Sequence, residues 1–483
     1  MTEGGGPDPA PLPGAPRPRA SPGLRHRVRR LVHPECGWPE QWRRIRRRVF
    51  WMAVALTAAS VPILVLALVG LPHVFRNLLV RNVLAPEAGA ALPTLEDSAF
   101  DGVLALVTGR ALRGGSTVEV LLDGDGTFPR LWADLRSAQR SITVQMYYAG
   151  PGAVADSASR LLAEQARAGV DVFFLYDAFG AQDLPRRYLD SLRAAGVKTA
   201  EFRPLRWYAL DRAQHRSHVR GIVIDGSVAY TGGFGLDDKW LGDGKAGGEW
   251  RETNARFGGL AATQLQAVFV AEWAEATGEL LAWDRLLPSG GGPARDGPSR
   301  AARAALLYSP AVTGSTTGER LLALAIASAR RRLYVANAYF VPRSDYVRLL
   351  VDAARRGVDV RVLTNGPASD VRTTWLASRA RYQSLLDAGV RIYEYRPTTM
   401  HAKTLVVDGL LSAVTTMNFD NRSLAYNNEV ALLARDARLG ARLDSLFLED
   451  LHLADEIRLE DFRRRPWSAR VLEWAASAVA SFL

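Results

Sequence analysis

One ordered series of short signatures runs through this chain twice, and that repetition constrains the fold more than any other feature. A strand-like run at residues 141–148 (SITVQMYY) leads through a helical stretch to Ala168-Gly169-Val170-Asp171-Val172 and the apolar run 173–176. Residues 332–340 (RLYVANAYF) begin the series again, and it passes to Arg356-Gly357-Val358-Asp359-Val360 and the run 361–363. Each series then shows Ala-Gly-Val, at residues 195–197 and 388–390, and a short strand ending in Arg203-Pro204 or Arg396-Pro397. Strand, helix, glycine, strand is the order of βαβ units, which build a sheet covered by helices. Any two α/β domains share some of this, but an ordered set of common signatures favours duplication. The stretch 288–298 (PSGGGPARDGP) has the composition of a linker and falls between the copies. The expectation is therefore an α/β chain of two similar halves, each a mixed central sheet flanked by helices. They occupy 95–287 and 301–483, with the linker at 288–300.

Of seven histidines, four lie beyond residue 130, and two of these head one pattern. His218-Val219-Arg220 is followed after four residues by Asp225, and His401-Ala402-Lys403 after four residues by Asp408; both run into glycine, Gly226 and Gly409. On a strand, residues two apart share a face, so His401 and Lys403 project together. An imidazole beside a fixed cation suits a phosphate: the nitrogen attacks phosphorus while the cation holds a non-bridging oxygen. By the same parity Asp408 faces away or ends the strand, which makes it a poor partner for its own histidine. A single such motif is most simply a satisfied core or surface histidine. Two at equivalent places in a repeat point instead to one shared site. The only cysteine is Cys36, the histidines are scattered and no HExxH-like pair occurs, so neither a metal nor a cofactor is expected.

The N-terminal part is different. Residues 1–22 are rich in Gly, Pro and Ala, and with the arginine-dense stretch ending in Arg46, Arg47 and Arg48 they read as a disordered basic tail over 1–49. Residues 50–71 carry no charge and are long enough to cross a bilayer as a single transmembrane helix, with Pro62 inside. The arginines before this span outnumber Arg76 and Arg81 after it, which keeps the tail cytoplasmic and sends the body outside. The formal charge of +11 calls for an anionic partner. Much of it sits beside the span, where it meets anionic headgroups, so a membrane and an anionic phospholipid are expected rather than nucleic acid. Two further segments suit lipid contact as well as ordinary packing: Trp207 and Tyr208 after Arg203 and Arg206, and the apolar stretch 467–483.

At the paired motifs the sequence resembles the phospholipase D superfamily, and within it the bacterial cardiolipin synthases. The resemblance rests on the two His motifs, on residues 415–423 (TTMNFDNRS) with Asn428-Glu429-Val430, on residues 229–234 (AYTGGF) with Trp250-Arg251-Glu252-Thr253, and on Tyr339-Phe340-Val341-Pro342. It covers roughly residues 100–480 and implies metal-free transfer through a phosphohistidine. One histidine, in the family that of the first half, attacks the phosphodiester; the other serves as acid and then base. Phosphatidylglycerol would be donor and acceptor, with cardiolipin and glycerol as products. The resemblance also implies that Glu252 and Glu429 orient the histidines, and that Lys403, Arg220, Asn418 and Thr416 hold phosphate. His218, His401, Asp225 and Asp408 complete the candidate set. Three departures stand out: Arg220 where the family has Lys, Gly235 where it has Asn, and Thr415-Thr416 where it has Gly-Ser. Arginine keeps the charge with a different reach, glycine removes a donor, and the threonines keep a hydroxyl with more bulk. A lipid hydrolase, a nuclease and a non-catalytic lipid-binding relative are the competing functions.

Overall fold

The computed structural model describes residues 40–75, 92–204, 214–282, 284–288, 302–311 and 316–479, with side chains of the first segment described over 42–60. The chain divides into two units, Met1–Pro72 and His73–Leu483. In the first, helix α1 (Glu40–Phe75) runs through the whole of the expected span 50–71. Residues 61–71 of that span lie outside the described side chains. Among the described residues no helix is long and apolar enough to cross a membrane. The Arg206-Trp207-Tyr208 cluster, Cys36 and most of the linker also fall outside the described residues.

The second unit opens with α2 (Ala99–Thr108) and the short strand β1 (Arg113–Ser116). The first-half strands follow: β2 (Val118–Leu122), β3 (Ser141–Met146), β4 (Asp171–Asp177), β5 (Lys198–Phe202), β6 (Arg216–Ser217), β7 (Gly221–Ile224), β8 (Val228–Gly232) and β9 (Thr253–Gly258). Seven of them form one sheet in the order β2-β9-β8-β7-β3-β4-β5. Its helices are α3 (Asp123–Arg136), α4 (Ala153–Arg167), α5 (Arg186–Ala194) and α6 (Leu260–Thr277). Strand β3 is buried at every position because β4 runs parallel on one side, β7 antiparallel on the other, and helices cover the faces. In α4, Val154, Ala158, Leu161 and Leu162 make one apolar face at helical spacing, which seats the crossover on the sheet.

The second-half strands are β10 (Ala302–Ser309), β11 (Arg332–Asn337), β12 (Asp359–Asn365), β13 (Arg391–Tyr395), β14 (Lys403–Val407), β15 (Leu411–Thr415), β16 (Asn427–Arg435) and β17 (Ala454–Glu456). The helices are α7 (Thr317–Ser328), α8 (Ser344–Arg355), α9 (Arg372–Asp387), α10 (Asn421–Ala425), α11 (Ala437–Leu451), α12 (Leu459–Arg463) and α13 (Trp467–Val479). The core of this sheet, β10-β16-β15-β14-β11-β12-β13, repeats the first sheet's order strand for strand, with β1 and β17 added at the edges. The repeated glycine signatures are helix stops. Gly169, Gly196, Gly357 and Gly389 all have φ near 90°, the left-handed region that a residue closing a helix adopts without penalty when it has no Cβ.

The half boundaries differ from the sequence reading at one end. Residues 95–116 belong with the second sheet: β1 pairs with β10, and Phe100, Leu104 and Leu112 are buried in the second-half core. The halves meet on a shared apolar layer. Helix α6 presents Ala261, Ala262 and Leu265 to Val406, Val414 and Leu432 of the second half, while Phe269 and Trp273 pack on Phe173 and Phe202 of the first. A helix buried on two sides has little reason to be amphipathic, and α6 is apolar around most of its girth.

Candidate active site

The two motif strands place their histidines at the line where the halves meet. Sequence parity expected His401 and Lys403 on one strand; instead β14 begins at Lys403 and β7 at Gly221, and each histidine lies in the extended chain just ahead. The reason is that these segments pair across to the other half. The His218 N–H donates to Asn428 O at 2.9 Å, and the His401 N–H donates to Arg251 O at 2.7 Å. Strand β6 runs parallel to the start of β16, and Arg251 bridges to Met400 in the same way.

The side chains are exchanged along with the backbone. His218 Nδ1 lies 2.9 Å from Glu429 Oε1 of the second half, and His401 Nδ1 lies 2.6 Å from Glu252 Oε2 of the first. Each imidazole is thus oriented by the opposite half through Nδ1, and its Nε2 is the ring nitrogen that no carboxylate holds. Both rings border one cavity of about 370 Å³, which Arg220, Asn418, Tyr339 and Trp250 also line. Aromatic rings fix their tilt: Tyr147 meets His218 edge-on at 4.7 Å, and Trp250 lies 4.8 Å from His401.

Electrostatically the cavity is prepared for an anion. Arg220 is 2% exposed, and its Nε and Nη1 have no hydrogen-bond partner. Unpaired buried donors on a cation cost free energy until an anion arrives. Asn418 Oδ1 is unpartnered as well, but as an acceptor it holds no anion; only the Asn418 amide N–H groups could do so. Lys403 sits behind His401, not on the cavity wall; its Nζ donates to His401 O at 2.5 Å. Burial pushes Lys403 down to about 7, against the pull of Glu252. Burial, then Arg220 and Lys403, hold His218 well below the usual histidine range; burial, Lys403 and Arg220 do the same to His401. Burial raises Glu252 to about 7 and Glu429 well above the carboxylate range. A phosphodiester entering this site would offset the cations and restore proton affinity to the rings.

Two expected site residues are not brought in. Asp225 and Asp408 end the strands that lead away from the histidines, each at φ 53°, a conformation aspartate tolerates in tight turns. The Asp225 carboxylate accepts the N–H groups of Gln139, Arg140 and Ser141, and that of Asp408 accepts those of Arg330, Arg331 and Arg332. These carboxylates tie the turn after each motif to the start of each central strand. Thr416 is also reassigned. Expected on phosphate, its hydroxyl donates to Glu429 and so braces the His218 partner. Replacing Asp408 by Ala is expected to lower unfolding free energy by about 2 kcal/mol, since three part-buried N–H groups lose their acceptor, with kcat of the folded protein unchanged. Denaturant melts beside single-turnover rates check this; a stable but inactive variant would return Asp408 to the site.

The glycines of the first motif make room for a glutamate and a tryptophan. A Cβ at Gly233 would fall 2.2 Å from Glu252 Oε2, and one at Gly235 would fall 2.6 Å from the Trp240 ring. Trp240 therefore fills the space where the second half has Asn418. Its indole N–H donates to Glu252 Oε2 at 3.3 Å, the service that Thr416 performs for Glu429. The first motif has thus replaced a hydroxyl donor by an indole. Sequence reasoning also missed Lys239 and Arg422. Each stands 21 residues after its histidine, and each lowers the proton affinity of the ring in the opposite half. Aligning the two copies past the motif would have found them. Among the described residues no group of three or more His, Cys, Asp or Glu could hold a metal ion.

The family model described as "Cardiolipin synthase, PLD-like domain" matches residues 131–245 and 322–451. The chain is 36% identical over 370 residues to a cardiolipin synthase of Geobacillus kaustophilus, covering 76% of this chain and 72% of that one. It is 33% identical over 354 residues to cardiolipin synthase 2 of Bacillus anthracis, covering 73% and 68%. Among solved structures, phosphatidylserine synthase of Haemophilus influenzae superimposes with a TM-score of 0.59 at 14% identity, over 79% of this chain and 99% of that one. The last likeness concerns the fold alone.

Proposed function

The chain belongs to the phospholipase D-like cardiolipin synthase family and is a phosphatidyltransferase of that type, and from this we propose how its own residues make cardiolipin from two molecules of phosphatidylglycerol. One imidazole, with its Nδ1–H on a glutamate, attacks phosphorus through Nε2. The P–N bond forms, the bond from phosphorus to the glycerol oxygen breaks, and the other imidazole gives that oxygen its proton. Glycerol leaves. The second phosphatidylglycerol then brings a hydroxyl whose proton returns to that imidazole as its oxygen attacks phosphorus and the P–N bond breaks. Arg220 is the preorganised donor for a non-bridging oxygen, with Asn418 beside it and Lys403 supplying charge from behind. By the family pattern His218 is the nucleophile and His401 the acid and base. The observation that carries this reading is that both imidazoles border one cavity whose buried guanidinium, Arg220, keeps its Nε and Nη1 without a hydrogen-bond partner.

Purified protein given labelled phosphatidylglycerol tests it. Cardiolipin and glycerol in equal amounts are expected. Phosphatidic acid alone would mean a hydrolase, and cleavage of nucleic acid in its place would mean a nuclease.

The pH dependence follows from Lys403. A depressed lysine keeps its charge below its own value and loses it as pH rises through it. With Lys403 near 7, kcat/KM is expected to fall as pH rises above about 7. A bound phosphodiester holds the ammonium charged, so kcat falls only at higher pH. Lys403→Arg should extend the plateau of kcat/KM to alkaline pH at reduced height; superimposable limbs would remove Lys403 from this role.

Helix α1 we propose as a single membrane anchor, with the arginine-rich start in the cytoplasm and the catalytic body outside. Cys36 lies on the tail side of it. An impermeant maleimide should label Cys36 only after cells are opened; labelling of intact cells would invert the orientation.

A further inference from the structure

The C-terminal helix α13 packs through one face only. Glu473 is buried and accepts from Arg379 Nε and Arg465 Nε, and Ala476 is buried against Ala377 and Val341. The opposite side is apolar and open: Trp467 is 77% exposed, Trp474 71%, Val471 51% and Leu472 59%. Two tryptophans about two turns apart on one helical face, with aliphatic residues between them, form a contiguous patch rather than scattered exposure.

Its setting bears on the occupant. Helix α13 packs on α9, and the turn that starts α9 lines the cavity through Val371 and Thr374. The patch is therefore joined through one helix to the cavity wall. The cavity carries an apolar group of its own, Phe179, which is 45% exposed. Residues 458–479 hold five arginines against three acidic side chains; Arg465 pairs with the buried Glu473 and Arg463 with Asp387, which leaves Arg458, Arg464 and Arg470 against Glu460 and Asp461. Arg464 and Arg470 are exposed beside the tryptophans. Exposed Trp with Arg alongside is the chemistry of a helix lying in an anionic lipid interface, the indoles at headgroup depth and the guanidinium groups on phosphate.

We propose that the exposed face of α13 is an interfacial docking surface for anionic bilayer lipid, separate from the N-terminal anchor, which seats the cavity on the membrane that holds its substrate. The proposal rests on the phosphatidyltransferase reading, because a cavity that draws both substrates from a bilayer gains from being pressed to it. A tether at α1 alone restricts the distance of the body from the surface but not its orientation. A second contact of this kind would.

The test uses the full chain with Cys36→Ser, reconstituted into vesicles. A bimane label on Trp474→Cys is read against one on Leu106→Cys, an exposed apolar position on α2. In phosphatidylglycerol vesicles carrying doxyl-labelled acyl chains, quenching at 474 is expected to exceed that at 106 by roughly fivefold, and to weaken in phosphatidylcholine vesicles. The double variant Trp467→Ser/Trp474→Ser should lose about tenfold in kcat/KM on phosphatidylglycerol in vesicles while matching the parent on monomeric short-chain phosphatidylglycerol. Equal quenching at the two positions overturns the proposal. So does a blue-shifted label at 474 that lipid cannot quench, which would mean that a second copy or another segment of the chain covers the face. Failure of the enzymatic reading is seen separately, as absence of turnover by the parent on the short-chain substrate.

Discussion

His218→Ala and His401→Ala are each expected to lower cardiolipin formation by on the order of 10⁴-fold, with little change in thermal stability. Both rings border the cavity, so truncation removes a reacting group without emptying the core. The two losses should be far from additive, because a covalent route needs both rings and either deletion ends it. Their distinct roles appear on trapping. A detergent quench of His401→Ala at mildly alkaline pH during turnover of labelled phosphatidylglycerol should leave acid-labile, base-stable label on the peptide holding His218, since attack can proceed without the acid at a slow rate. Label on His401 in the reciprocal variant would exchange the roles and keep the covalent scheme. Turnover near the parent rate in either variant would discard it.

The second large effect crosses the boundary between the halves. Glu429→Gln and Glu252→Gln are each expected to reduce kcat by about 10²–10³-fold, because an amide keeps the shape but not the charge that supports an imidazolium. The damage should appear on the histidine of the opposite half. Glu429→Gln should alter the rate of diethyl pyrocarbonate modification at His218 and leave His401 as it was; Glu252→Gln should do the reverse. Changes confined to the same half would contradict the 2.9 Å and 2.6 Å contacts between Nδ1 and carboxylate.

Much of the architecture was legible because its signals are local. The Ala-Gly-Val signatures are helix ends that require left-handed backbone, so they recur wherever the repeat closes a helix. The histidines were legible as residues through the duplicated motif, and the two glutamates through the family resemblance. That each glutamate serves the far histidine was not, since spacing along the chain does not encode which half a loop reaches into. Asp225 and Asp408 were misplaced for a related reason: their recurrence is real, but what recurs is the need to hold three N–H groups at the head of a central strand. The departure at Gly235 looked like a lost donor. It is better described as space yielded to Trp240, and no local pattern announces that an indole five residues on will take it. Membership of α2 and β1 in the second sheet was equally hidden, because proximity in sequence says nothing about which open sheet edge a strand will find.

The exchange of glutamates has a consequence for the order in which a newly made chain becomes reactive. The first half emerges from the ribosome with His218 but without the carboxylate that poises its ring. The second cannot finish His401 unless the first already stands beside it. A nucleophile capable of consuming membrane phosphodiesters is thus withheld until the whole body has closed. Cutting the chain between the halves should give two inert pieces that regain turnover only when mixed.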